Sequence, residues 1–216
     1  MPDRGVVIVG KDAVAGSVKT RLGRSIGMPC AAEIHRLLGM HVSRIACASG
    51  YSVDVSLKGN LNGDFARRLI SLGATLYPQE TKPLGDVIYT AMHRYDRVIV
   101  LGMDSPLIST HEIQCALERD DLCIGPAEDG GYWCLAASNP PKILFQDIPW
   151  SQSTVLSTTI QRAKDENLSP FFLQTHYDID TLADLKRLLQ DPNTPPPLSH
   201  SLQERIDHYA RGSHST

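Results

Sequence analysis

Short apolar runs alternate along this chain with segments that have helical periodicity. The runs VVIV, residues 6–9, and VIVL, residues 98–101, are apolar at every position. Such runs are typical of strands in the middle of a sheet that is covered on both faces. The alternation predicts βαβ units, and thus an α/β fold with a mainly parallel sheet and helices on both faces. The same patterns predict further strands at residues 51–57, 74–77, 121–127, 131–137 and 171–175, and helices at residues 29–45, 64–72, 84–95, 110–118, 154–167 and 181–190.

The end of the chain differs in composition from the rest. The segment TLADLKRLLQ predicts a final core helix, which starts at a capping box formed by Thr181 and Asp184. Prolines cluster directly after it, at residues 191–198, and clustered prolines cannot continue a helix. We therefore expect the folded part to end there, with a single domain at residues 1–190. The proline-rich segment and tail, residues 191–216, would either add one helix or remain loose.

The composition, with 42% apolar and 21% charged residues, is that of a soluble globular protein. The net charge of −3 and the absence of a basic block argue against nucleic-acid and membrane partners. The apolar runs are far shorter than a membrane span and the N-terminus does not have a signal-peptide pattern, so we expect a cytoplasmic protein. The five cysteines include no CxxC pair, which favours reduced thiols over disulfides or zinc.

The segment after the first apolar run, GKDAVAGSVKTRL, contains glycines and several basic residues. A P-loop requires a lysine directly after its second glycine, whereas Lys19 comes two positions late after Gly16. The segment is therefore not a P-loop. Basic side chains at the start of a helix oppose the helix dipole, unless an anion offsets them. Lys11, Lys19 and Arg21 are thus candidates for phosphate contacts, and the alternative is that they are ordinary solvated surface residues.

Polar residues collect just after the carboxyl ends of the predicted strands. In an open parallel sheet these ends lie along one edge, where ligands bind. Four groups from distant parts of the chain are therefore expected to converge on one cleft. They are Lys11, Lys19 and Arg21 after the first strand, Asp104 after VIVL, Glu128 and Asp129 after DLCIGPA, and Asp178 and Asp180 after FFLQT.

Two of these aspartates are candidates for metal ligands. Asp104, in GMDSP, would present a carboxylate to Mg²⁺ or Mn²⁺, hard cations that take other ligands from water and phosphate. Asp180, in YDIDT, would complete the site. Both have structural alternatives, because Asp104 lies in a common turn sequence and Asp180 precedes a helix that it would be able to cap. The basic segment on the same edge favours a metal-phosphate site.

The segment GPAEDGGYWCLAAS, residues 125–138, is the most unusual in the chain. Its paired glycines would let a substrate approach the backbone closely, and Asp129 would act as a base or bind a hydroxyl group. Glu128 is the weaker candidate for this role. The alternative for the glycines is a tight turn between two strands. Trp150, in the loop that follows, either lines the pocket or only packs.

Five ordered motifs, KDAVAGSVKTRL, GMDSP, GPAEDGGYWCLAA, IPWSQSTVL and YDIDTLADL, extend over nearly the whole predicted domain. They resemble those of small bacterial glycosyltransferase-A-type (GT-A) enzymes, the selenodomain-associated or arsenosugar-biosynthesis glycosyltransferases. This chain departs from the family pattern KxPxxGxVKTRL at Ala13, which stands in place of proline. Gly85 and its neighbours represent the family's Gly-Asp-Leu-Gly segment only in part. The matching positions of the first motif are Lys11, Gly16, Val18, Lys19, Thr20, Arg21 and Leu22.

The resemblance implies a Rossmann-like GT-A fold, the fold of the nucleotide-diphospho-sugar transferases, with the basic segment near the nucleotide phosphates and Mg²⁺ or Mn²⁺ at Asp104. Asp180 is the second candidate ligand on the residue pattern alone. The resemblance and the residue chemistry described above together give three groups of candidate site residues. The nucleotide phosphates would be bound by Lys11, Gly16, Lys19, Thr20, Arg21 and Gly85. The substrate would be bound by Asp129, Gly130, Gly131, Tyr132 and Trp150. The catalytic residues would be Asp129, Lys19 and Arg21.

Three functions remain open at this point. The first is glycosyl transfer from a nucleotide-diphospho-sugar to a small-molecule acceptor. The second is transfer of a nucleotidyl group from a nucleoside triphosphate to a phosphate- or carboxylate-bearing acceptor with release of pyrophosphate. The same fold includes such enzymes, and KTRL with DIDTxxDL also resembles 2-phospho-lactate guanylyltransferases and the molybdenum-cofactor cytidylyl- and guanylyltransferases. The third is a non-catalytic nucleotide-binding module, which the aspartates argue against. A homo-oligomer is compatible with each function.

Overall fold

The computed structural model describes residues 3–212, in which seven strands form one sheet. The strands are β1 Arg4–Lys11, β2 Ser52–Lys58, β3 Thr75–Pro78, β4 Arg97–Leu101, β5 Cys123–Pro126, β6 Tyr132–Ala137 and β7 Phe171–Phe172. Their order in the sheet is β3-β2-β1-β4-β6-β5-β7. Neighbouring strands are parallel, except that β6 is antiparallel to β4 and β5. The predicted α/β fold with a mainly parallel sheet is therefore confirmed.

Helices connect the strands and cover the sheet. They are α1 Thr20–Ile26, α2 Met28–Ala48, α3 Asp64–Ser71, α4 Leu84–Ala91, α5 Thr110–Glu118, α6 Val155–Asp165, α7 Leu182–Gln190 and α8 Pro196–Gly212, with a 3₁₀ helix at Lys142–Leu144. In the described part of the chain, no helix has both the length and the hydrophobicity that crossing a membrane requires.

Side chains of β1 alternate between two hydrophobic clusters, one on each face of the sheet. Val6 and Ile8 pack with residues of α2, α3 and α5, whereas Val7 packs with residues of α4 and α6. All three side chains are fully buried. The run VVIV is apolar at every position because β1 lies in the middle of the sheet, where helices cover both faces.

Helix α8 packs on a third hydrophobic cluster, beside α2 and α7. Leu198 and Leu202 of α8 are buried there, together with Leu38 of α2 and Leu185 of α7. The expectation that the folded part ends at the proline cluster is therefore wrong, whereas the alternative that the last segment adds one helix agrees with α8. Pro196 is the first residue of α8, and proline is tolerated in the first turn, where its missing N–H has no partner within the helix. The prolines begin a helix here.

One edge of the sheet gathers the positions that the sequence singled out. The strands β1, β2 and β4 are mutually parallel, so their carboxyl ends lie on the same side. Because β6 runs in the opposite direction, its first residue, Tyr132, lies at this edge too, opposite the last residue of β5. The loops that leave this edge carry the candidate site.

Candidate functional site

Lys19 connects the basic segment to two aspartates from distant parts of the chain. It directly precedes α1 and has a left-handed backbone conformation, with φ 46° and ψ 41°. Its side chain is only 3% exposed, and its Nζ lies 2.6 Å from Oδ1 of Asp104 and 3.0 Å from Oδ1 of Asp180. The structure therefore brings the predicted phosphate-binding lysine together with both predicted metal ligands.

The charges in this cluster stabilise one another. Burial acts to lower the pKa of Lys19, but the carboxylates of Asp104 and Asp180 outweigh it and raise this pKa above its ordinary value. Burial acts to raise the pKa of Asp104, but Lys19 and His35 outweigh it and hold this pKa well below its ordinary value. Lys19 and Asp104 are therefore both ionised at neutral pH.

His35, on α2, belongs to this cluster and was not predicted from the sequence. Its side chain is buried, and its Nε2 donates a hydrogen bond to the backbone oxygen of Lys11 at 3.0 Å, because a carbonyl oxygen only accepts. Its Nδ1 lies 3.7 Å from Oδ1 of Asp104. The available signal was a polar residue inside the apolar stripe of the helix, next to Ile34.

The start of α7 leaves the side chain of Asp180 available to Lys19. Thr181 is the N-cap, since its Oγ1 accepts a hydrogen bond from the backbone N of Asp184 at 3.3 Å. In return, Oδ2 of Asp184 accepts from the backbone N of Thr181 at 2.7 Å. The predicted capping box is confirmed, and the alternative role of Asp180 as the helix cap is wrong.

Asp178 lies beside the same cluster. Burial, with a contribution from the carboxylate of Asp104, raises its pKa to about 6. The hydroxyl group of Ser105 donates a hydrogen bond to Oδ1 of Asp178. The sequence placed Asp178 at this edge of the sheet without a role. Burial therefore disfavours the ionised form of Asp178, and the nearby carboxylate of Asp104 disfavours it further.

We expect Asp178→Asn to raise the free energy of unfolding of the metal-free protein above that of the wild type at about pH 8, and to raise it much less at about pH 4. The pKa of Asp178 is about 6 in the folded protein and about 3.9 in the unfolded protein, so the folded protein binds the proton of this carboxyl group more tightly. The stability from this proton is complete below about pH 4 and is lost as the pH rises through about 6. The shift corresponds to about 3 kcal/mol at most. Urea unfolding in EDTA at both pH values measures the difference.

Asp121→Asn is the matched control for this prediction. Asp121 precedes β5 at the opposite edge of the sheet, where it pairs with Arg119 at 2.7 Å on the protein surface. Such a pair contributes less than about 1 kcal/mol, so the control should change the free energy of unfolding little at either pH. An Asp178→Asn protein that is less stable than the wild type at about pH 8 would contradict the prediction.

A cavity of about 590 Å³, the polar cleft, opens in front of Lys19. Its volume falls in the range of small-molecule sites, roughly 300–1,000 Å³. The exposed guanidinium group of Arg21 reaches the same cleft, with its Nη1 3.9 Å from Oδ2 of Asp180. Six of the predicted site residues line the polar cleft: Lys11, Lys19, Thr20, Arg21, Asp104 and Asp180.

A second cavity of about 240 Å³, the apolar cavity, adjoins the polar cleft. The two cavities share the lining residues Val9, Leu84, Gly102 and Ser151. Four of the predicted substrate-binding residues line the apolar cavity: Asp129, Gly131, Tyr132 and Trp150. The rings of Tyr132 and Trp150 meet edge to face, with their centroids 6.3 Å apart, so Trp150 both lines the cavity and packs.

The two adjacent acids after β5 have different surroundings. Asp129 is exposed and lines the apolar cavity, and its Oδ1 accepts a hydrogen bond from the backbone N of Gly131 at 2.9 Å. Glu128 binds the guanidinium group of Arg187 with both carboxylate oxygens, at 2.6 and 2.7 Å. Asp129 is therefore the acid that a substrate in the cavity would meet.

Three glycines among the predicted binding residues, Gly16, Gly85 and Gly130, line neither of these two cavities in the described structure. Gly130 has φ 87°, and a Cβ atom there would lie 2.1 Å from the backbone oxygen of Ser153. A Cβ atom on Gly85 would lie 2.1 Å from the backbone oxygen of Phe145. Gly130, in a turn, and Gly85, in α4, thus allow other backbone segments to pack closely against them. Gly16 is exposed in the turn before α1.

The carboxylates of Asp104 and Asp180 are suited to bind a cation, because both already contact the ammonium group of Lys19. The ammonium group of Lys19 contacts Asp104 and Asp180 at the same time, so their oxygens converge on one position. Within residues 3–212, no group of three or more His, Cys, Asp or Glu side chains is arranged to hold a metal ion. A divalent cation at these two aspartates would therefore need further ligands from water and phosphate, which Mg²⁺ takes readily.

Several solved structures share this fold. A provisionally assigned nucleotide-diphospho-sugar transferase from Desulfovibrio desulfuricans G20 has a TM-score of 0.81 and 23% identity, over 97% of this chain and 99% of that chain. A CMP:2-keto-3-deoxy-manno-octonic acid synthetase complexed with CTP has a TM-score of 0.52 and 13% identity, over 86% and 96% of the two chains. The manganese complex of Rv0371c from Mycobacterium tuberculosis H37Rv has a TM-score of 0.50 and 14% identity, over 88% and 100%. The predicted nucleotide-diphospho-sugar transferase fold is confirmed.

A comparison with curated proteins gives no match. A family model, DUF2064, described as uncharacterized protein conserved in bacteria, matches residues 41–152. The matched segment is more than half of the 216-residue chain, and it contains Asp104, Asp129 and Trp150. The chain therefore belongs to the DUF2064 family of bacterial proteins.

Proposed function

We propose that the protein transfers a glycosyl group from a nucleotide-diphospho-sugar to a small-molecule acceptor, with Mg²⁺ or Mn²⁺ as cofactor. One observation carries the proposal: two unlike cavities meet at one edge of the sheet. The polar cleft holds Lys19 against Asp104 and Asp180, and the apolar cavity with Asp129 opens beside it. Group transfer requires such a phosphate site next to a site for a second molecule, because the two reactants must be held together.

The basic residues of the polar cleft would bind the diphosphate of the donor. Lys11, Lys19 and Arg21 line the cleft, and each charge-assisted hydrogen bond contributes about 1.5–3 kcal/mol. Arg21 is able to contact two phosphate oxygens at once. These side chains would stabilise the negative charge that develops on the departing diphosphate. A divalent cation at Asp104 and Asp180, when bound, would supply further stabilisation of the same charge.

The apolar cavity would hold the acceptor. Oδ1 of Asp129 is fixed by the N–H group of Gly131, which leaves Oδ2 to orient an acceptor hydroxyl group or to take its proton. Apolar side chains, among them Ile88, Val100 and Val155, form much of the remaining lining. This lining favours a neutral acceptor with an apolar group beside its hydroxyl group.

Nucleotidyl transfer is the second candidate, and the similarity to a CTP-bound synthetase favours it. In that reaction a phosphate or carboxylate of the acceptor attacks the α-phosphorus of a nucleoside triphosphate, and pyrophosphate leaves. An anionic acceptor in the apolar cavity would lose hydration and would meet the carboxylate of Asp129. We therefore rank nucleotidyl transfer below glycosyl transfer. A non-catalytic nucleotide-binding module ranks third, because it would leave the apolar cavity without a role.

A two-stage experiment separates the three functions. Nucleotide sugars and nucleoside triphosphates are first screened with Mg²⁺ or Mn²⁺ for ligands that raise the melting temperature. The ligands found are then incubated with hydroxylated acceptors, and the products are identified by mass spectrometry. Glycosyl transfer predicts a glycosylated acceptor and a free nucleoside diphosphate. Metal-dependent pyrophosphate release with a nucleotidylated acceptor would contradict it, and binding without any product would favour the binding module.

A further inference from the structure

A lysine side chain occupies the position proposed above for a divalent cation. The Nζ atom of Lys19 lies 2.6 Å from Oδ1 of Asp104 and 3.0 Å from Oδ1 of Asp180, and the side chain is 3% exposed. The neighbouring cation, the guanidinium group of Arg21, is 69% exposed and lies 3.9 Å from the other oxygen of Asp180. The position between the two aspartates therefore already holds a positive charge, and it is the charge of Lys19.

The ammonium group and a divalent cation would compete for this position. They would use the same carboxylate oxygens, and at such a separation their charges repel each other. A divalent cation that displaces Lys19 would leave a buried ammonium group without a partner, which is strongly unfavourable. Binding of a metal ion alone should therefore be weak, unless an anion is present to accept Lys19.

A diphosphate in the polar cleft would be that anion. The polar cleft is lined by Lys19 together with Lys11, Thr20 and Arg21. Phosphate oxygens bound by these residues would therefore lie near the ammonium group of Lys19. Lysine is a flexible point charge with three donors, and its ammonium group is able to turn from carboxylate to phosphate without moving α1.

We propose that Lys19 serves as an internal cation in the unliganded protein. When a divalent cation and a diphosphate bind together, the ammonium group of Lys19 leaves Asp104 and Asp180 and contacts phosphate instead. The inference rests on the proposed function, in which the polar cleft binds a nucleotide diphosphate. It predicts that metal and diphosphate each increase the affinity of the protein for the other, because such coupling is reciprocal.

Titration of the nucleotide-free protein with Mn²⁺, followed by EPR of the unbound ion, tests the inference. Lys19→Met replaces lysine by an uncharged side chain of similar length, so the two carboxylates lose their cation. We expect Lys19→Met to bind Mn²⁺ at least about tenfold more tightly than the wild type, a difference of about 1.4 kcal/mol. Unchanged or weaker Mn²⁺ binding by this variant overturns the inference.

Arg21→Met is the matched control. It removes one positive charge from the same segment but does not empty the position between the aspartates, and Arg21 is largely exposed. Since charge interactions through water are weak, we expect its Mn²⁺ affinity to change by less than about threefold. An equal gain in both variants would show a general effect of charge and would overturn the inference.

A second measurement does not depend on how well the variants fold. In the wild-type protein, inorganic pyrophosphate should increase the affinity for Mn²⁺ by at least about tenfold, as measured by water proton relaxation, which separates protein-bound Mn²⁺ from its pyrophosphate complex in solution. No increase overturns the inference. If the protein transfers sugar but pyrophosphate does not increase its Mn²⁺ affinity, only the role of Lys19 is overturned. If pyrophosphate increases the Mn²⁺ affinity but no sugar is transferred, only the proposed reaction is overturned.

Discussion

Asp104→Asn is expected to lower kcat for transfer by about 100- to 1,000-fold, the effect of removing one group that stabilises developing charge. The Asp104 carboxylate lies 2.6 Å from Lys19 and 3.7 Å from His35. Asparagine has the same size but carries no charge, so it neither balances Lys19 nor attracts a divalent cation. Steady-state assays of the transfer reaction measure kcat, and circular dichroism establishes that the variant is folded.

Asp121→Asn serves as the control for this variant as well. Asp121 lies at the opposite edge of the sheet in a surface pair with Arg119, so kcat should be unchanged. Affinity for Mn²⁺ in the presence of nucleotide should fall in Asp104→Asn and remain constant in Asp121→Asn. An Asp104→Asn enzyme that retained more than about a tenth of the wild-type kcat would remove Asp104 from the catalytic site.

Asp129→Asn is expected to lower kcat by about 100- to 10,000-fold, the contribution typical of a positioned general base. The amide oxygen of asparagine still accepts a hydrogen bond from the N–H group of Gly131, which is 2.9 Å away in the wild type. The turn should therefore keep its shape while the base is lost. Because Asp129 lines the apolar cavity, nucleotide affinity, measured by calorimetry, should stay near the wild-type value.

Glu128→Gln is the matched control, since it removes the neighbouring carboxylate in the same turn. Glu128 binds Arg187 on the surface of the protein, so its loss should leave kcat unchanged. Loss of activity in Glu128→Gln, with activity retained in Asp129→Asn, would mean that Glu128 and not Asp129 is the general base. A large fall in nucleotide affinity in Asp129→Asn would indicate that Asp129 binds the donor nucleotide and not the acceptor.

Much of the fold was predictable because burial leaves a direct pattern in the sequence. The runs at residues 6–9 and 98–101 became β1 and β4, whose side chains are buried on both faces. The cap of α7 was predictable for a similar reason, since Thr181 and Asp184 are only three residues apart. Local rules failed for α8, because its position is decided by packing on α2 and α7 and not by the prolines that precede it.

The candidate site was predictable as a set of residues but not as a set of contacts. Strand ends indicated which side chains share an edge, yet nothing in the sequence indicated that Lys19 would lie between Asp104 and Asp180. The part played by His35 depends on how α2 crosses the edge of the sheet, which no local pattern specifies. Gly85 lies in a segment that represents a family motif only in part, and a Cβ atom added there would meet the backbone of Phe145, distant in sequence.

In the proposed function, the polar cleft binds the diphosphate of an activated sugar together with a divalent cation. A crystal structure with Mn²⁺ and the nucleoside diphosphate that raises the melting temperature most tests it directly. We predict diphosphate oxygens beside Lys19 and Arg21, and an anomalous manganese signal at Asp104 and Asp180. Diphosphate bound outside the polar cleft, or manganese bound away from both aspartates, would show that this cleft is not the donor site.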